Sequence, residues 1–528
     1  MHERNNFISA WGLVASALII SASLLSAFAT PLGVYDEGFA ITNAERIING
    51  ETPHLDYWTA YPPGTSLTLS LFFVLFEPSL VVARVVNLLW SCLLIGSVFY
   101  FVRAFSGRLG AAFAATLSSL WLGSALYPSY SATPALALIF LSIALAAQET
   151  KRGGTGLIPL AGVVAGFVAI FRHDFAAYFF ASALGSFLVS IGLRGSIKIS
   201  GRYLNSVVSF LLVFFGVSLF LLVTVAARGG VENFIEQEIV FPVTGMRENR
   251  LLPVPGFLEL FLMWDLKWVL RWVLAWGGIV FPLAGLALTT KSHIKAFPGY
   301  FIAEIFCALM TMIFTVQSHN RFDLAHTAPS MLFLLCFASI VSAQKSDAAG
   351  YVRRSLQIFI LMAATLMSIY AAPSYGKLND FSKCTLGRSL GDCIPIHQDQ
   401  IGAVNYINKK YPEVDYVFVG NTHHDMILFN DSSMYFLLSK HVPVAWSEMH
   451  PGIVTTRQVQ EKMIDQLIAH NVSVVILVDV DNSLEKNSSA ISSGVFVLDE
   501  FISRNFSAVY KVGRYSVLER KKDYLTRN

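Results

Sequence analysis

Long apolar runs alternate with short polar loops over most of this chain, and the pattern changes only near residue 372. A membrane-crossing helix needs about 20 apolar residues. Runs that meet or approach this fall at 8–30, 80–102, 109–126, 133–148, 157–171, 174–192, 203–226, 270–289, 298–316, 324–343 and 355–372, predicting about eleven spans. The run 64–76 is too short to cross and follows Tyr61-Pro62-Pro63-Gly64, so it is expected as a re-entrant or surface helix. The first run is too long for the apolar part of a signal peptide and has a weakly charged start, with Arg4 beside Glu3. It is expected as a retained first span.

Beyond 372 the period changes. Asp415–Gly420 and Ser473–Asp479 are rich in β-branched residues and predict strands. Thr456–His470 and Gly494–Asn505 predict helices, and Phe506–Arg520 alternates like a hairpin. The expected organisation is a polytopic α-helical membrane module over 1–372 and a small α/β domain over 373–528.

Composition agrees with a membrane protein. Of 528 residues, 54% are hydrophobic and 14% charged, and mean hydropathy is +0.56. A net charge of +3 is too small to suggest a nucleic-acid partner. Its distribution matters more, because cytoplasmic loops collect Lys and Arg. Arg103, Arg108, Lys151, Arg152, Arg194, Lys198, Arg202, Lys291, Lys295, Lys345, Arg353 and Arg354 all fall in alternate loops. That bias places loops 31–63, 127–132, 172–174, 228–269 and 317–323 outside, and the C-terminal domain with them. Cys384 and Cys393 lie in that polar segment, and an exported location predicts a disulfide between them. Cys92, Cys307 and Cys336 lie in apolar spans.

The outer loops hold the candidate chemistry. Asp36 and Glu37 follow the first span directly. Asp36 can cap a helix over 37–49 that ends at Gly50, or act as a general base whose pKa burial raises. Consecutive helical residues point about 100° apart, so only one of the two acids can face a given reacting atom. Asp56, Tyr57 and Tyr61 precede a rigid Pro-Pro-Gly turn that aims them. Arg84, Arg172, His319, Arg321 and His326 are donors on the same face, a set suited to a phosphate group; interfacial ion pairs are the plainer reading of each. Trp264, Trp268, Trp272 and Trp276 recur every four residues and line one helix face, either a lipid-facing belt or the wall of a lipid groove. His423-His424-Asp425 and the loop histidines His441 and His450 lack metal-ligand spacing and read more readily as surface or glycan-contact residues, so a divalent metal is possible but not indicated. There is no GxGxxG, Walker loop or CxxC pair, and no internal repeat of the transporter kind.

Asp36-Glu37 after span 1, Asp56-Tyr57-Trp58 with Tyr61-Pro62-Pro63-Gly64, Arg84, and Arg321-Phe322-Asp323 with His326 together resemble the GT-C glycosyltransferases. The resemblance is to the branch of protein O-mannosyltransferases, the lipid A aminoarabinose transferase and rhizobial lipopolysaccharide galacturonosyltransferases. It implies a helical bundle in the bacterial inner membrane with an extracytoplasmic cavity, and a polyprenyl-phosphate-sugar donor. It implies Asp36 as the catalytic residue and Glu37 as its partner. The C-terminal segment does not look like the β-trefoil of the O-mannosyltransferases, which favours a lipid or envelope-glycan acceptor. The competing reading is a transporter or flippase of lipid-linked glycans, which would need charges along a membrane path; the spans are mostly uncharged.

Overall fold

In the computed structural model the described residues are 2–521, apart from 126–127, 153, 195–200, 262–265, 288–297, 481–484 and 486 and, four isolated residues excepted, 344–393. Most of the expected span at 355–372, the boundary near 372, and both Cys384 and Cys393 lie outside them.

The chain is a helical membrane body with a small C-terminal mixed sheet. Seven stretches among the described residues are long and apolar enough to cross a membrane. One of them, within the 46-residue helix Leu80–Ala125, covers two of the expected spans. A straight helix of that length would run about 70 Å, more than twice the hydrocarbon thickness. It breaks at Gly107, where φ is +75° and ψ is −173°. That backbone conformation is open to glycine and strained for residues with a Cβ. The break falls between Arg103 and Arg108, where the sequence places a loop. The expected span 157–171 forms two short helices, Ile158–Gly166 and Val168–Phe171, and 174–192 lies within the helix His173–Arg194. Gly64–Phe76 is a helix of 13 residues, about 20 Å and too short to cross.

The membrane core is built on phenylalanine. Phe140 stacks on Phe333 at 4.6 Å between ring centres, and Phe175 meets Phe314 edge-on at 4.7 Å. Such pairs add to the packing that holds helices together in lipid, where apolar burial alone gives little drive.

The C-terminal part has a four-stranded sheet in the order β1-β2-β4-β3: β1 (Val417–Asn421), β2 (Val474–Val478), β3 (Phe506–Val512) and β4 (Tyr515–Arg520). β1 and β2 are parallel, with Val417 opposite Val474. β4 is antiparallel to both β2 and β3. β1, β2 and the β3–β4 hairpin fall where the sequence predicts them, as do the helices Arg457–Ala469 and Val497–Asn505.

This part sits directly on the first loop. The helix Asp36–Ile48 packs against Ser433–Leu438. Thr42 Oγ1 donates to the Ser432 carbonyl at 2.8 Å, and the Trp58 amide donates to the Ala445 carbonyl at 3.1 Å. A Cβ at Gly38 would lie 2.8 Å from the Ser433 nitrogen, so the two backbones approach only because Gly38 has no side chain. Gly38→Ala should therefore cost about 1–3 kcal/mol through forced separation. Thermal unfolding in detergent measures this; an unchanged midpoint would show the contact to be slack.

Candidate active site

The site is built around the helix Asp36–Ile48, and its two leading acids have opposite surroundings. Glu37 is fully buried and meets Arg84, which is equally buried, through a two-point contact. Arg84 Nε reaches Glu37 Oε1 at 2.5 Å and Nη2 reaches Oε2 at 2.8 Å. The remaining guanidinium donors are taken by the end of the first span. Nη1 donates to the Phe28 carbonyl at 2.8 Å and to Thr30 Oγ1 at 2.9 Å, and Nη2 to the Pro31 carbonyl at 3.1 Å. The Gly33 amide also donates to Glu37 Oε2 at 2.9 Å. Arg84 was expected to meet a phosphate. Its fork is instead closed on Glu37 and on backbone carbonyls, because a buried guanidinium must satisfy its donors locally.

Asp36 is one residue away and turned elsewhere. It does not cap its helix: Tyr35 occupies the N-cap position and no side chain caps it. The Asp36 carboxylate makes no hydrogen bond or ion pair among the described residues. It lines a cleft together with Phe39, Asn43, Tyr57, Tyr61 and Tyr130. Burial pushes its pKa up from 3.8 to about 6, although His326, Arg250 and Arg321 pull it down.

Those three side chains form a connected group. Asp323 caps the helix Leu324–Ser342, accepting from the His326 amide at 2.9 Å and lying 2.8 Å from His326 Nδ1. Burial works upward on Asp323, but His326 and Arg321 outweigh it and hold its pKa down at about 2. His326 Nε2 has no hydrogen-bond partner among the described residues. Arg321 contacts Asp323 at 3.1 Å and Glu485 at 2.5 Å. Arg250 donates to the Leu428 carbonyl at 2.8 Å and lies over the Tyr35 ring at 5.5 Å.

The other expected residues divide. Tyr57 and Tyr61 line the cleft, with Arg46 over the Tyr57 ring at 4.6 Å and Arg172 over the Tyr61 ring at 5.4 Å. Arg172 is held by Asp174 at 2.6 Å and donates to the Tyr130 hydroxyl at 3.3 Å, so it braces the cleft wall. Asp56 is not in the cleft. It is exposed, and its Oδ2 accepts from the Thr52 amide at 2.7 Å, closing its own turn. His319 is 2.7 Å from the Ala275 carbonyl through Nε2. Trp272 and Trp276 donate to the Phe257 and Pro255 carbonyls at 2.8 Å each, clasping the loop before them; Trp264 lies outside the described residues.

Sequence reasoning missed Arg250 and a relay in the C-terminal part. Arg250 ends the polar run Arg247-Glu248-Asn249-Arg250 in an otherwise apolar stretch, a signal that was available. The relay runs from Asn43 to Glu448 at 3.0 Å, from Glu448 to His450 at 3.0 Å, and from His450 to the Tyr35 hydroxyl at 3.1 Å. His450 was visible as a loop histidine, but its partner across more than 400 residues was not. Among the described residues no group of three or more His, Cys, Asp or Glu is arranged to hold a metal.

The fold of the whole chain resembles those of solved proteins. The chain superposes on ArnT from Cupriavidus metallidurans bound to undecaprenyl phosphate with a TM-score of 0.57, at 14% identity, over 97% of this chain and 98% of that one. The apo state of the same protein gives 0.57 at 13% identity. The Archaeoglobus fulgidus oligosaccharyltransferase tethered to an acceptor peptide gives 0.51 at 14% identity, over 97% of this chain and 74% of that one. The chain has an ArnT-like fold. No family model and no curated protein sequence matches it. In this fold the first-loop helix and Arg321 both meet the C-terminal part, through Asn43–Glu448, Tyr35–His450 and Arg321–Glu485.

Removing one partner of a buried pair leaves the other charge uncompensated, typically at 3–5 kcal/mol. Glu37→Gln should therefore reduce stability by about that amount, read as a lower unfolding midpoint and a smaller monodisperse fraction in size exclusion. A variant as stable as the parent would remove Glu37–Arg84 from its structural role.

Proposed function

We propose that this chain is an inverting glycosyltransferase that moves a sugar from a polyprenyl-phosphate donor to a lipid or envelope-glycan acceptor. One observation carries this reading: an Asp36 carboxylate in a cleft, without a hydrogen-bond partner among the described residues and with its pKa raised to about 6. A base so placed is ionised at neutral pH and still basic enough to accept a proton. The ArnT-like fold supports the donor class, since the superposed ArnT structure holds undecaprenyl phosphate.

The step is a single displacement. The acceptor hydroxyl passes its proton to an Asp36 oxygen as its own oxygen forms a bond to the anomeric carbon. The bond from that carbon to the phosphate oxygen breaks, and the lipid phosphate leaves with the electron pair. Negative charge thus grows on the phosphate. Arg250, Arg321 and His326, the groups that lower the Asp36 pKa, are suited to offset it as positive charges or hydrogen-bond donors. Tyr57 and Tyr61 provide cleft wall for the sugar or acceptor. The Lys and Arg bias of alternate loops supports a cleft that opens away from the cytoplasm, with the C-terminal domain on that side. Residues 1–372 then form the catalytic module and 373–528 the acceptor-facing part.

Asp36→Asn keeps the shape and removes the titratable group. It should lower transfer from undecaprenyl-phosphate sugars about 10²–10⁴-fold in purified, reconstituted protein. The wild-type rate should rise with pH through about 6, as Asp36 deprotonates, and Asn should abolish that limb. Stability follows the opposite sign. A folded-state pKa above the ordinary 3.8 favours the protonated form, so its contribution is full below 3.8 and is lost as pH rises through about 6. The Asn variant should lose that dependence and unfold no earlier than the parent at pH 7. Near-normal turnover by Asp36→Asn would exclude it as the base.

A further inference from the structure

The arginines suited to the leaving phosphate are already in contact with an acid of this chain. Glu485 meets Arg321 at two points, Oε1 to Nη2 at 2.5 Å and Oε2 to Nη1 at 3.1 Å. Its Oε2 also lies 3.7 Å from Arg250 Nε. A carboxylate bound end-on across a guanidinium fork occupies the geometry that two oxygens of a phosphate would use. Glu485 is more than 160 residues from Arg321 and belongs to the C-terminal part. Asn487 Nδ2 orients it at 2.9 Å, and Asn487 in turn accepts from the Ser489 amide at 3.0 Å. The contact is therefore a positioned side chain and not a loose surface pair. Burial works upward on the Glu485 carboxyl, but the Arg321 and Arg250 contacts outweigh it and hold it below its usual range, so it stays anionic.

We propose that Glu485 is a built-in competitor for the phosphate seat formed by Arg321 and Arg250, displaced when the lipid phosphate arrives and returning when it leaves. This rests on the glycosyltransferase reading above. The charges favour such an exchange. A phosphodiester donor carries one negative charge, the same as Glu485, so donor entry swaps like for like. The product monoester carries about −1.5 to −2 at neutral pH, so product would hold the arginines more tightly than donor. A tethered carboxylate at high local concentration offsets that excess and speeds release of the spent lipid. It also carries the state of the seat to the C-terminal part, since the residue that moves belongs to it.

The test compares equilibrium binding of undecaprenyl phosphate to purified full-length wild type, Glu485→Gln and Glu485→Ala, with unfolding midpoints recorded for each. Both variants remove the competing charge, and Gln keeps the bulk. The proposal expects both to bind about 5–10-fold more tightly than wild type and to show stronger inhibition by undecaprenyl phosphate during transfer. Equal or weaker binding by folded variants would overturn it and make Glu485 a support for Arg321. If wild type and both variants fail to bind undecaprenyl phosphate, the polyprenyl-phosphate reading itself falls, and the competitor with it. Tighter binding by Ala alone counts against charge competition, because Gln also lacks the charge.

Discussion

The buried contact between Glu37 and Arg84 is the constraint on which the site depends. A carboxylate and a guanidinium removed from water cost several kcal/mol each unless geometry and further hydrogen bonds offset it. Here they do: the two-point contact is joined by the Phe28 and Pro31 carbonyls, the Thr30 hydroxyl and the Gly33 amide. The contact ties the end of the first span, the start of the first-loop helix and the helix Leu80–Ala125 into one rigid corner. It also consumes one of two adjacent acids. With Glu37 neutralised and aimed inward, the roughly 100° turn to the preceding residue sends Asp36 into the cleft.

Asp36 is left with opposing influences. Burial raises its pKa, and His326, Arg250 and Arg321 lower it, which sets it near 6. The same side chains answer to two other acids, Asp323 and Glu485, and to the ring of Tyr35. The site is thus a balance of charges held by four parts of the chain: the first loop, the segment around residue 250, the segment 321–326 and Glu485 of the C-terminal part. The C-terminal sheet domain closes over this group through Gly38, Trp58 and the Asn43–Glu448–His450–Tyr35 relay. Loss of packing in that domain would be felt at the site.

Much of this was legible in the residues. Apolar runs marked most spans because run length and lipid thickness are the same constraint. β-branched runs marked β1 and β2, and a rough alternation marked the β3–β4 hairpin. Asp36 and Glu37 stood out as acids beside a long apolar run. What was not legible is which partner each charge takes. Arg84 reads alike whether it faces phosphate or Glu37. Asp56 sits in a suggestive motif yet closes its own turn. The Trp ladder reads as a lipid belt or the wall of a lipid groove, while Trp272 and Trp276 commit their indole N–H groups to loop carbonyls. Long-range pairing of charges depends on tertiary packing, and one sequence carries no direct record of it. Arg250 was overlooked because its loop had no motif, only a polar run in an apolar chain.

The central claim is that burial and charge balance make Asp36 a base poised near neutrality. The most direct measurement is the titration of that one carboxyl group, by infrared difference spectra between wild type and Asp36→Asn across pH. The account predicts a protonated carboxyl band that disappears with a midpoint near 6. A midpoint near 4, that of an ordinary solvated carboxylate, would contradict it.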